Sequence, residues 1–134
     1  MKVNVLGLVA VALLAGCASP KARTVVLSDM AAHELREGDL KAARKHLEEA
    51  QEISPNDPRV LLNLGVLAHK EANYELARET YLKAINHAWD EKDAKLVDEH
   101  GESKNIIEII KDNLTRLRED EERAAREKTA KPTE

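Results

Sequence analysis

Cysteine is almost absent: Cys17 stands alone in 134 residues, so no disulfide can form within the chain. The five histidines (His33, His46, His69, His87 and His100) form no HExxH and no Cys/His cluster, which removes the common zinc sites. There is no glycine-rich phosphate loop: Gly7 and Gly16 lie in the apolar N-terminal segment, and Gly38, Gly65 and Gly101 fall at turn and packing positions. Asp29 and His33 lie four apart on one helix beside Ser28, a spacing that reads as a solvated helix-face pair rather than an acid–base couple. An enzyme, a cofactor and a bound metal are therefore not expected. Nor is there an apolar run of the roughly 20 residues that a membrane-spanning helix needs. Twenty-five acids against 21 cations give a net charge of −4, which argues against nucleic acid and against a polybasic membrane patch.

What is present begins at the N-terminus. Met1 and Lys2 precede residues 3–15, which are apolar apart from Asn4 and end in small residues, as the core of a secretory signal does. Leu14, Ala15, Gly16 and Cys17 then resemble the bacterial lipoprotein signal at all four positions. The resemblance implies that residues 1–16 are cleaved and that Cys17 becomes the first residue, carrying diacylglycerol and a further acyl group such as palmitate. Several chains make a durable anchor where one does not. Ala18, in place of Asp after the cysteine, implies the outer membrane, facing the periplasm. Losing Lys2 takes the net charge to −5. Residues 18–23 are expected to be a short tether, reaching about 20 Å at roughly 3.3 Å per residue.

A shift of 34 residues superimposes Leu27 on Leu61, Met30 on Leu64, Ala31 on Gly65 and Leu40 on Tyr74. It also aligns Ala43 with Ala77, Arg44 with Arg78, Leu47 with Tyr81 and Ala50 with Ala84. The pattern resembles the tetratricopeptide repeat, a 34-residue helix–turn–helix, with copies at 24–57 and 58–91. Two features depart from it. Glu34 and Ala68 stand where an aromatic is favoured, and Trp89 stands where the closing proline would fall. Small residues at 31, 65, 43 and 77 permit close helix packing, and larger Leu and Tyr side chains fill the rest. Gly38 with Asp39 marks one turn and Ala72 with Asn73 the matching one. Asp57 and Pro58 suit a cap followed by the first helical position. Helices are expected near 25–37, 40–53, 58–71 and 74–87.

Beyond the repeats, residues 92–102 form a polar linker, with a short helix over 93–100 ended by Gly101. Residues 103, 106, 107, 110, 114 and 117 then make a stripe of helical period, predicting a helix over 103–127 with Ser103 as its cap. A stack of two hairpins exposes an apolar end, and this helix is expected to cover it, with Trp89 packed beneath. A homodimer seam is the alternative use of the stripe. Residues 118–123 are all charged, and the segment 118–134 is expected to bury little; residues 128–134 are expected to be a disordered tail.

The expected fold is thus all-α: two repeats in a short right-handed superhelix, closed by a C-terminal capping helix. In the family the first helix of each repeat lines a concave groove. Mapped onto this sequence, that groove takes Ser28, Asp29, Ala32, Leu35 and Arg36, then Arg59, Leu62, Asn63, Val66, His69 and Lys70. The second set is the candidate peptide site, an apolar floor set among donors that suits a segment with an apolar anchor and a carboxylate. A carboxylate clamp known in the family needs Lys and Asn in the first repeat; Ser28 and Ala32 stand there, so it does not carry over. The resemblance implies a membrane-anchored adaptor that binds another envelope protein, of the kind that assists assembly of pili, secretion systems or cell-wall machinery. The alternative is a structural envelope component that docks through its C-terminal helix.

Overall fold

A computed structural model of the chain describes residues 19–89, 95–97 and 102–130. The signal segment, Cys17 and residues 131–134 lie outside the described residues. Four helices come first: α1 (Pro20–Glu37), α2 (Leu40–Ile53), α3 (Pro58–Lys70) and α4 (Tyr74–Ala88). A two-stranded ribbon, β1 (Lys95–Val97) and β2 (Ser103–Asn105), leads into α5 (Ile106–Ala130). The strands are antiparallel, with Leu96 opposite Lys104.

Each helix is stopped and started by named groups. Gly38 ends α1 at φ +83°, where a side chain would be strained, and the Asp39 amide returns to the Glu34 carbonyl at 2.9 Å. Asp39 then caps α2 through Ala42 N–H at 3.0 Å. One repeat later Ala72 takes the same left-handed conformation (φ 59°), the Asn73 amide reaches the Ala68 carbonyl, and Asn73 caps α4 through Leu76 N–H. Asp57 caps α3 through Arg59 N–H, with Pro58 at the first helical position.

The hairpins α1/α2 and α3/α4 stack side by side. Leu27, Ala50 and Val60 form one buried cluster between them, and Ala31, Leu35, Ala43, Leu47 and Leu67 a second. Within the second hairpin, Gly65 lets the Tyr81 ring approach the α3 backbone closely. The hydroxyl of Thr24 donates to the Pro20 carbonyl at 3.0 Å, which leaves Ser54 to donate to Thr24 Oγ1 at 2.9 Å and tie α1 to the end of α2.

The fifth helix stands to the second hairpin as α3 stands to the first. A shift of 50 residues lays Val60, Asn63, Leu64 and Leu67 over Ile110, Asn113, Leu114 and Leu117. Val60 and Ile110 are fully buried, and Leu67 and Leu117 nearly so. The ion pairs repeat as well: Arg44 bonds Glu71 at the end of α3, and Arg78 bonds Glu121 on α5. The face that α3 turns toward α4, Leu61, Gly65 and Ala68, becomes Lys111, Thr115 and Arg118, all exposed. Hence α5 closes the stack and offers no seat for a further helix. Ile106, Ile107, Ile110 and Leu117 are buried in one cluster with Tyr81, Ala84 and Ala88, so the apolar stripe is consumed within the chain.

Several expectations need correction. The helix expected from 25 begins at Pro20, capped by Ser19, because Pro20 presets the first turn and Thr24 bonds back to it. Most of the 18–23 tether is therefore helix. The short helix expected within 93–100 is a strand where it is described; so short a helix is marginal alone, whereas pairing with β2 lets Leu96 join the core. Ser103 lies in β2 instead of capping α5, and Asn105 accepts from Ile107 N–H at 2.8 Å. Trp89 is 55% exposed and does not pack beneath α5. The final helix runs through Ala130, three residues into the stretch expected to be disordered. Its charged half is not idle either, since Asp120 and Glu121 bond His69 and Arg78.

Candidate functional site

The concave side holds an open groove of about 810 Å³. Helix α1 supplies Val25, Ser28, Asp29, Ala32, Leu35 and Arg36; α3 supplies Arg59, Leu62, Asn63, Val66 and Lys70. The third wall comes from Lys95, Leu96 and Lys104 of the ribbon and from Ile109, Asn113 and Arg116 of α5. Leu62, Val66, Leu96 and Ile109 make an apolar floor that continues into the core beneath. Around it stand Arg36, Arg59, Lys70, Lys95, Lys104 and Arg116, while Asp29 is the one acid in the lining among the described residues. A chain of net charge −4 has thus gathered cations on one concave surface. Clefts lined by one sign of charge focus the field and favour ligands of the opposite sign.

The predicted residues divide. Arg59, Leu62, Asn63, Val66 and Lys70 are brought together in the groove. His69 is not among them: its Nε2 is 3.0 Å from Asp120 Oδ2, and its ring sits edge-on to Tyr74 at 6.0 Å. His69 therefore fastens α5 to α3. Asn63 does two jobs, since its Nδ2 donates to the Ser28 carbonyl at 3.0 Å and so joins α3 to α1 while its side chain borders the groove. Ser28 is 2% exposed, and its hydroxyl has no partner within the described protein.

The third wall escaped the sequence reading. For α5 a signal existed: the shift of 50 places Ile109, Asn113 and Arg116 over the groove positions Arg59, Asn63 and Val66. For the ribbon there was none, because three residues such as Lys95, Leu96 and Val97 carry no readable period. Among the described residues no cluster of side chains is arranged to hold a metal ion, and no helix is long and apolar enough to cross a membrane.

Two stacked hairpins, a closing helix and a concave groove define a helical-repeat interaction module. The hairpins are similar to tetratricopeptide repeats, and the family model of that repeat matches residues 34–96, just under half of the chain. Over 56 residues, 41% of this chain, it is 39% identical to human protein O-mannosyl-transferase TMTC2. Over 74 residues, 50% of the chain, it is 42% identical to mouse intraflagellar transport protein 70A1. The chain spans only 7% and 11% of the length of those proteins. No solved structure matches. Modules of this kind present a surface that binds other proteins.

Proposed function

We propose that this chain is a lipid-anchored adaptor of the bacterial envelope, which holds an acidic segment of another envelope protein in its concave groove. The observation that carries the reading is the ring of cations from α1, α3, the ribbon and α5 around a continuous apolar floor. An extended or helical segment with one apolar anchor and flanking carboxylates complements that surface, and guanidinium groups suit carboxylates geometrically. The lipid at Cys17 rests on the signal read in residues 1–17, and the outer-membrane location on Ala18 after it. Pilus, secretion or cell-wall assembly is the setting that the combination of anchor and repeat suggests.

Anisotropy titration of labelled peptides tests the binding. Acidic peptides with a single Leu should bind, basic ones of the same length should not, and added salt should weaken the complex. Arg59→Glu with Arg116→Glu should lower affinity roughly tenfold or more, since two attractive partners become repulsive. Equal binding of acidic and basic peptides would overturn the groove reading. Intact mass of the protein extracted from membranes tests acylation of Cys17, and fractionation tests its membrane.

A further inference from the structure

The two ends of the stack are finished differently. At the C-terminal end, the positions that would receive another helix hold Lys111, Thr115 and Arg118. At the N-terminal end, the positions by which α3 seats on the first hairpin, Val60 and Leu64, correspond in α1 to Val26 and Met30. Val60 is fully buried, whereas Val26 is 56% and Met30 44% exposed, although both remain apolar. With exposed Ala22 one turn earlier they form a stripe along α1, flanked by the exposed Arg23. Nothing within the described chain covers it.

We infer that this uncovered α1 face seats on the lipid surface, so that the domain is held in one orientation and not merely tethered. The inference rests on the acylated Cys17 of the preceding section. Because α1 begins at Pro20, only Ala18 and Ser19 separate the cysteine from the helix, a span of roughly 7 Å at about 3.3 Å per residue. The first turn of α1 is therefore held at headgroup depth, and the stripe begins there. Apolar side chains of an interfacial helix enter the boundary between headgroup and acyl chain. The groove residues of α1, Val25, Asp29, Ala32 and Arg36, lie about a quarter to a third of a turn round the helix from this stripe. Seated in this way, the domain keeps its groove open beside the bilayer, with hairpins and α5 stacked outward from it.

The test uses full-length acylated protein in phosphatidylcholine vesicles that contain spin-labelled lipid. A polarity-sensitive fluorophore is placed through Met30→Cys or, at the far end of the stack, through Lys111→Cys; the acylated Cys17 offers no thiol to the label. Roughly half or more of the emission at position 30 should be quenched, with a shift to the blue, while position 111 stays unaffected. Val26→Glu should abolish the quenching at position 30 without changing the acylated mass. An acylated protein with no quenching at position 30 overturns the seating and leaves the anchor standing. Energy transfer between labels at position 30 on separate copies also overturns it, in favour of a dimer face. A mature protein without acyl groups on Cys17 removes both the anchor and the seating.

Discussion

Gly65 and Tyr81 are a matched pair: a Cβ built on Gly65 would lie 2.5 Å from Cδ1 and Cε1 of the tyrosine ring. The first repeat solves the same contact with Ala31 and Leu47, a larger residue on one helix and a smaller one on the other. Tyr81 is fully buried, so its ring has nowhere to go. Gly65→Ala should destabilise the protein by roughly 1–3 kcal/mol in chemical denaturation, despite the better helix propensity of alanine. Combining it with Tyr81→Leu, which copies the first repeat, should recover much of that loss. The double-mutant cycle should show a coupling on the order of 1 kcal/mol. Simple additivity would show that the ring shifts freely.

Ala72 carries a local cost that the other turn avoids. It adopts φ 59° where the first repeat has Gly38 at φ 83°. A left-handed alanine costs roughly 1–2 kcal/mol, of which the greater unfolded freedom of glycine returns part. Ala72→Gly should raise stability by about 0.5–1 kcal/mol. The reverse change, Gly38→Ala, should lower it by a similar amount, although nothing lies within 4 Å of a Cβ at that position.

The hairpins were legible because their residues obey two constraints at once, a helical period and a 34-residue repeat. Leu27 and Leu61, or Ala43 and Ala77, would each be unremarkable alone. The closing helix was legible from Ile106, Ile110, Leu114 and Leu117, yet its charged half was misjudged. Charge reads as solvent exposure in a sequence, and only the fold puts Asp120 beside His69 and Glu121 beside Arg78. The groove was half legible for a related reason. Residues on α1 and α3 follow the repeat, whereas Lys95 and Lys104 reach the groove through a strand pairing that three-residue strands do not announce.

The two halves of α5 should respond differently to mutation. Ile110 is fully buried, and Ile110→Asp should cost about 3–5 kcal/mol, enough to unfold a domain of this size or to free the helix. Truncation after Leu117 removes Asp120 and Glu121 but no buried apolar side chain. Arg78 and Glu121 are each 42% exposed, so the loss should be about 1 kcal/mol. It should also shrink when the melt is repeated in high salt. A truncation that unfolds the chain would show that the charged half supplies more than these pairs.

Tyr81 offers a test in which removing a polar group should help. Its hydroxyl is buried and has no hydrogen-bond partner among the described residues, and burial raises its pKa above the usual value, partly opposed by nearby Arg116. Tyr81→Phe should therefore leave stability at neutral pH unchanged or raise it by about 1 kcal/mol, because the desolvation of an unpaired hydroxyl disappears. The sign at alkaline pH follows from the same cause. With the folded pKa above the unfolded value of about 10, the neutral phenol is favoured by folding, so stability holds below pH 10 and falls as the pH rises toward the folded pKa. The gap between Tyr81→Phe and the parent protein should accordingly widen above pH 10 in urea melts. A constant gap across that range would mean that the tyrosine ionises in the folded protein as readily as in the unfolded one.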